Sequence, residues 1–496
     1  MITIRAHANP EKREALDALV IPFFVGEGAP EFACSVPESL VRAVRAPIAA
    51  GDFVAKEGQI VWVWADIPER RIALVGLGEK SGCSAESLRR LMSGVVRSCT
   101  ERRYKRINLF TPTTEGHNPV VMTKALLEGL FFGSYDILAK QTDAVGEVVL
   151  ITSECHQTQA LTSHVEKVMR ALFFARDLIN GNADDITPRY LASCAEGIAG
   201  LSGRIEVRVH GREWILEQGM GLFHAVSRAS SHEPQFIEMH YRGDPASPDL
   251  TVLVGKGITF DTGGLNLKGR GSIENQRKDM AGAAVVMATL QAIAQLELCC
   301  NVSVLIPTCE NAIGPDAFKP GDVYTGMNKK RVEITNTDAE GRLLLADALY
   351  YAATILKASR VIDVATLTGA MSVALGGEAI GYFSNSDALA FKLEGAGQKT
   401  YERLWRFPLY EEYKEKLKSD VADIKNAHTQ EAGAILAALF LQEFVQQIPW
   451  AHLDIAGVAC YTEKTRYWHK LATGMGVRLL VEYFEAECRG EGSEYS

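Results

Sequence analysis

The 496-residue sequence predicts an α/β protein: a smaller N-terminal three-layer α/β domain, then a larger C-terminal domain whose mixed, mainly parallel sheet is flanked by helices. Three observations predict it. The first third alternates strand-like runs with stretches of helical length. The second part carries apolar strand-length runs separated by apolar helices, the pattern of a sheet covered on both faces. Hydrophobic residues make up 47% and charged residues 23%, the balance of a chain that buries a large core and is not disordered.

The elements follow in order. Residues 1–7 alternate polar and apolar like a first strand. Residues 61–64 and 72–75 are strand-like, the second ending in Gly76-Leu77-Gly78, and 84–100 reads as a helix. A strand at 106–110, a helix at 122–133 and a strand at 147–152 complete the first set. A helical stretch at 159–178 runs into Asn180-Gly181-Asn182-Ala183-Asp184-Asp185, a turn-rich break. This assigns 1–160 to the N-terminal α/β domain, 161–186 to a connecting helix and turn, 187–488 to the larger domain and 489–496 to a tail. In the larger domain, 249–254 is an apolar strand entering Gly255-Lys256-Gly257, and 280–296 is a strongly apolar helix. Strands at 301–307 and 331–335, a helix at 343–356, and strands at 361–366 and 451–455 follow.

Composition excludes several classes. Lys and Arg total 52 against 61 Asp and Glu, a net charge of -9, so there is no overall field for nucleic acid or anionic lipid. The longest apolar stretches, 280–296 and 432–445, are interrupted by Gln, Thr or Glu and fall short of a membrane-spanning run. The start lacks the basic residues, apolar run and small-residue site of a signal peptide. Ten cysteines without a C-x-x-C pair are no disulfide framework, so reduced thiols and a cytoplasmic location are expected.

In such sheets ligands collect beyond the carboxyl ends of strands, and here those exits are polar. One gives Lys256, then Asp261-Thr262-Gly263-Gly264, then Lys268; Asp279 lies just before the apolar helix. Another gives Asn336-Thr337-Asp338-Ala339-Glu340-Gly341-Arg342, followed at once by a helix. Singly, Asp279 and Asp338 read as helix N-caps, Lys256 as an exposed turn residue and Arg342 as half of a surface ion pair. Together, four carboxylates on one sheet edge would repel unless cations neutralise them. Structural ion pairs with the two lysines and the arginine would do so, and so would divalent metals; spacing leaves both open. No phosphate-binding G-x-x-x-x-G-K-[ST], no G-x-S-x-G and no H-E-x-x-H is present. His428, His452 and His469 read as surface or core residues.

Val254-Gly255-Lys256-Gly257-Ile258-Thr259-Phe260-Asp261-Thr262-Gly263-Gly264 and Asn336-Thr337-Asp338-Ala339-Glu340-Gly341-Arg342-Leu343 resemble the two signatures of the leucyl aminopeptidase, or cytosol aminopeptidase, family. Further similarity covers Ala175-Arg176-Asp177-Leu178, Thr187-Pro188, Cys309-Glu310-Asn311, Pro320-Gly321-Asp322-Val323, Ala365-Thr366-Leu367-Thr368-Gly369 and His452-Leu453-Asp454-Ile455-Ala456-Gly457. The resemblance runs from about residue 170 to 484, and the N-terminal region matches in general layout only.

The resemblance implies a two-metal peptidase acting on unblocked N-termini in intracellular peptide turnover, with 187–488 as the metallopeptidase catalytic domain. Asp261 and Glu340 would bridge two divalent ions, manganese or zinc. Asp338 would complete one site, and Lys256 with Asp279 the other. Lys268 would stabilise charge developing on the scissile carbonyl, and Arg342 would hold a bicarbonate acting as general base. Gln276, Thr366, Leu367 and Gly369 would line the substrate pocket. A homohexamer is implied as well.

Two departures stand out. Gln276 occupies a position where well-known members carry a methionine in the pocket for the first side chain. A polar amide there argues for broader or more polar first residues. The loop 426–433 lacks the Gly-Gly and Arg-Pro of many relatives, so that His428 either alters specificity or marks an inert variant. DNA binding, a catalytically dead scaffold and a two-metal phosphatase are the competing functions. The acidic charge argues against the first and the complete set of ligand positions against the second. The lysine among the ligands argues against the third.

Overall fold

In the computed structural model the apolar run Ala18–Phe23, buried along its whole length, sits inside a six-stranded sheet. The strand order is Thr3–His7, Glu147–Ile151, Arg106–Phe110, Ala18–Phe23, Arg71–Gly76 and Ile60–Trp64. All neighbours are parallel except the last pair, an antiparallel edge. The structure describes every residue except 10–11, 27–37, 113–115, 138–143, 429–430, 464, 469 and 491–496. Alternation along these strands buries both faces. Leu19, Ile21, Ile72, Leu74 and Val149 pack with Leu40 and Val44 of the helix Glu38–Ala49, while Val20, Ala73, Ile107 and Leu109 are buried on the opposite side. Neither Ala18–Phe23 nor Glu38–Ala49 is among the elements expected from sequence.

The helices Ala85–Glu101 and Pro119–Ser134 pack closely because Gly129 and Gly133 lack side chains. A Cβ at Gly129 would stand 2.4 Å from the Arg89 carbonyl oxygen, and one at Gly133 2.7 Å from that of Ser93. The Ser84–Ser87 capping box and Asn118, which accepts from Val120 and Val121, start these two helices.

Two compact units result: Met1–Arg170 with Lys464–Trp468, and Ala171–Glu463 with His469–Ser496. The dividing point falls inside one 26-residue helix, Cys155–Asn180. Residues Lys464–Trp468, expected within the larger domain, belong instead to the first unit, where the Tyr467 ring stacks on Phe132 at 4.3 Å. Of the expected tail 489–496, all beyond Gly490 lies outside the described residues.

The second unit is built on a nine-stranded mixed sheet. Its order is Leu404–Arg406, Ile380–Ser384, Trp450–Asp454, Arg360–Ala365, Thr251–Gly255, Asn301–Asn311, Gln235–Arg242 and Ile205–His210. Gly257–Asp261 pairs with the far half of Asn301–Asn311. The four strands from Trp450–Asp454 to Asn301–Asn311 are mutually parallel. The helices Ala281–Gln295 and Gly341–Thr354 are buried on almost all sides, which accounts for their nearly unbroken apolar sequence.

One expected strand is corrected. Residues 331–335 contribute only Arg331–Glu333, in a separate three-stranded sheet with Val323–Thr325 and Ile424–Lys425. Buried Val332 and Ile334 alternate with more exposed neighbours, so this segment lacks the apolar run that a strand covered on both faces needs. The polar residues 336–342 therefore leave this small sheet, and not the edge of the large one.

Candidate active site

The carboxyl ends of Thr251–Gly255, Gly257–Asp261 and Arg360–Ala365 converge with the turn before Gly341–Thr354, and this brings the charged residues together. Lys256 occupies the break between two strands, its N–H donating to the Val364 carbonyl. It is 2% exposed, so it is no surface turn residue. Its Nζ lies 2.7 Å from Asp279 Oδ2 and 2.9 Å from Glu340 Oε1, and donates to the Thr366 carbonyl at 3.0 Å. Lys268 Nζ lies 2.7 Å from Asp261 Oδ2 and 2.5 Å from Asp338 Oδ1. All six charged groups thus form one cluster at the ends of the parallel strands.

The helix-cap readings fail. Met280 and Glu340 occupy the two N-cap positions, and neither caps through its side chain. Asp279 instead accepts from Thr366 Oγ1 at 2.6 Å, besides its pairing with Lys256. Asp338 faces Lys268.

Asp261 is oriented from behind. Its Oδ1 accepts from Asn311 Nδ2 at 2.8 Å and from the Gly263 N–H at 2.8 Å. Asn311 also donates to the Thr337 carbonyl at 3.0 Å, tying the central strand to the turn that presents Asp338 and Glu340. Gly263 has φ +86, and a Cβ there would meet the Asn266 carbonyl oxygen at 2.5 Å. Gly341 is needed for room, since a Cβ would stand 2.7 Å from Lys256 Cε and 2.8 Å from its Nζ.

Charge governs the titration. Burial opposes an ammonium at Lys256, but Asp279, Glu340 and Asp261 outweigh it and hold the group above the usual lysine range. Lys268 behaves likewise through Asp261 and Glu340. Burial and neighbouring carboxylates push Asp279, Asp261 and Asp338 upward, against the pull of the lysines. Four carboxylates face two ammonium groups, so negative charge remains in excess. Asp261, Asp338 and Glu340 offer oxygens within 4.8 Å of one another, and Glu340 Oε2 is buried without a hydrogen-bond partner. An oxygen-rich, over-negative cluster of this kind fits divalent cations.

Arg342 is buried, its guanidinium donating to the Asn426 carbonyl at 2.8 Å while Nε has no partner. Burial lowers its pKa to about 10, against the pull of Glu340, Asp454 and Asp338. Gln276 lies half-buried in a short turn of helix, where its amide donates to the Ser272 carbonyl at 2.8 Å. The polar group therefore has the partner that its position requires. Thr366 is buried against Asp279, the Leu367 N–H donates to Asp454 Oδ1 at 3.2 Å, and Gly369 is exposed at the start of Gly369–Leu375. His452 is a core residue 2.6 Å from Asp363, and His428 is exposed. His469 and loop residues Thr429 and Gln430 lie outside the described residues.

Sequence reasoning missed Asn426 as a framework residue. It accepts from the Thr335 N–H and donates to the Asn336 carbonyl, at 2.9 and 2.7 Å. It missed the same role for Asn311, although Asn311 belongs to the family-like stretch Cys309-Glu310-Asn311.

Comparison with known proteins agrees with this geometry. The cytosol aminopeptidase family model for the catalytic domain matches residues 173–481, and that for the N-terminal domain matches residues 20–143, where sequence inspection found general layout only. Probable cytosol aminopeptidases of Protochlamydia amoebophila and Chlamydia abortus are 44% and 39% identical to this chain. These matches cover 96% and 98% of this chain and 97% and 99% of theirs. Among solved structures, the bottromycin maturation enzyme BotP in complex with Mn aligns at TM-score 0.85 and 32% identity, over 96% of this chain and 100% of its own. A tomato leucine aminopeptidase aligns at TM-score 0.85 and 32% identity, over 98% of this chain and 96% of its own. With both of its domains matched and an acidic cluster at the strand ends of the second, the chain belongs to the cytosol aminopeptidase family and is a metal-dependent aminopeptidase.

Proposed function

We propose that this aminopeptidase works with two divalent ions, manganese or zinc, held by Asp261 and Glu340 between them. Asp338 completes one site, and Lys256 with Asp279 the other. The observation that carries the reading is the excess of carboxylate over ammonium in the cluster, with Glu340 Oε2 buried and unpartnered. Manganese in the solved BotP relative supports that choice of metal. When bound, the ions supply an acidified water and a polarised scissile carbonyl.

The chain's own residues then divide the work. Lys256 must lose the proton that Asp279 and Glu340 hold on it before its amine can act as a ligand, so metal and proton compete for one nitrogen. Lys268 keeps its proton, and its fixed positive charge favours the oxyanion that develops on the substrate. Arg342 stays cationic and cannot serve as a base. Its unpartnered Nε suits an anion, which we read as a bicarbonate that supplies the base when bound. Gln276, Thr366, Leu367 and Gly369 receive the first side chain, and the amide of Gln276 favours broader or more polar first residues. Peptides are the substrates. A homohexameric assembly and cytoplasmic peptide turnover complete the proposal on the strength of the family resemblance. No helix among the described residues is long and apolar enough to cross a membrane.

Metal analysis of Mn-loaded, dialysed protein tests the stoichiometry. Two ions per chain are expected, falling to one in Asp338→Ala. A single ion or none in folded wild-type protein would overturn the two-metal reading.

A further inference from the structure

Three thiols meet far from the active site. Cys488 lies in the last turn of the helix Val477–Arg489, and Cys299 and Cys300 immediately precede the central strand Asn301–Asn311. Cys488 Sγ donates to the Cys299 carbonyl oxygen at 3.5 Å, which sets it against the Cys299–Cys300 peptide, and the Cys300 and Cys488 thiols influence each other's ionisation. Cys299 and Cys488 are exposed and Cys300 is half-buried, so small oxidants reach the group. By contrast Cys83, Cys99 and Cys309 are buried.

We propose that Cys300 and Cys488 form a redox pair that hydrogen peroxide closes to a reversible disulfide, tying the C-terminal helix to the start of the central strand. The Cys488 thiolate attacks one peroxide oxygen and the O–O bond breaks. The departing hydroxide takes up the thiol proton as water, leaving a sulfenic acid. The Cys300 thiol then attacks the Cys488 sulfur, and its proton leaves with the sulfenic oxygen as a second water. Two thiols are oxidised and one peroxide is reduced.

The direction of attack follows from the pair's asymmetry. The neighbouring Cys300 thiol is the main influence holding the Cys488 thiol down, to about 7, while burial, Glu487 and Glu485 oppose it. Its neighbour Cys488, with burial, pushes Cys300 up, which suits the resolving thiol. The strand following Cys300 runs 11 residues and ends at Asn311, behind Asp261. That separates bridge from active site by roughly 30 Å. The bridge closes a very long loop and so restrains the unfolded chain. It should raise the melting temperature and leave aminopeptidase activity unchanged.

Full-length protein treated with stoichiometric hydrogen peroxide, then blocked with iodoacetamide and mapped by tryptic mass spectrometry, tests the proposal. The expected product is a peptide linked through Cys300 and Cys488. Dithiothreitol should remove it; Cys300→Ser and Cys488→Ser should both lack it, and Cys299→Ser should retain it. In Cys300→Ser, Cys488 should stop at a sulfenic acid that dimedone traps. Unreacted thiols, over-oxidised Cys488 without a linked peptide, or a link through Cys299 in the wild type would each overturn it.

Discussion

Lys268 shows how single residues set the chemistry. It is pinned between Asp261 and Asp338 with its charge intact, so in the proposed mechanism Lys268→Ala removes a preorganised cation from the developing oxyanion. The expected loss is about 10²–10³-fold in kcat with little change in KM, measured on an aminoacyl amide. Asn311 acts one step further back. Asn311→Ala removes the donor to Asp261 Oδ1 and strands the Thr337 carbonyl, so metal affinity should fall about 10–100-fold by Mn titration. Gln276→Met should move the preference among first residues toward leucine and methionine by about tenfold in kcat/KM across a substrate panel. The charged members of the site were legible in the sequence only as a set, through the two family-like signatures, because each alone reads as a helix cap, a turn residue or half of an ion pair. Asn311 and Asn426 were not, because a lone amide at the end of a strand or in a loop looks like any other loop residue. Their role appears only when residues distant in sequence close around the turn 336–340.

At the scale of elements, close contact between helix and sheet positions the cluster. Gly282 is the second residue of the helix Ala281–Gln295, and a Cβ there would stand 2.0 Å from the Val364 carbonyl oxygen. In an isolated helix Gly→Ala would gain roughly 1 kcal/mol. Here the clash with backbone costs about 1–3 kcal/mol and reverses the sign. Gly282→Ala should therefore lower the melting temperature, which thermal unfolding measures directly. The fully buried helices Ala281–Gln295 and Gly341–Thr354 and the parallel strands around the site were plain in the sequence, since a continuous apolar run is stable only where neighbouring elements cover it on every side, whereas the equally buried strand Ala18–Phe23 was not read. The antiparallel Gln235–Arg242 was not, because Glu238 and His240 interrupt its apolar pattern. Both are buried, and each has a polar neighbour: His210 on the adjacent strand and Tyr351 of the helix Gly341–Thr354 bond Glu238 Oε1, Ser303 bonds His240 Nδ1, and His240 Nε2 lies 3.4 Å from Glu238 Oε2. The segment 331–335 was misplaced for the opposite reason: its local pattern suits a strand but does not say which sheet receives it.

For the whole molecule, the site is a store of unbalanced charge whose relief is linked to folding. An ion that binds only the folded chain stabilises it by about 2.7 kcal/mol at a concentration a hundredfold above its Kd. Chelation should thus lower the melting temperature by several degrees, and Mn should restore it in the wild type more than in Asp338→Ala. The same ions carry the activity, so removing and returning them reads metal dependence in the reaction itself. Purified protein is stripped with chelator, and hydrolysis of aminoacyl amides is followed as Mn, Zn, Co or Mg is returned, with Lys268→Ala and Asp338→Ala alongside. The expected result is activity on free N-termini that vanishes on chelation, returns with Mn or Zn and stays low in both variants. Full activity in the stripped protein, or undiminished activity in both variants, would contradict it.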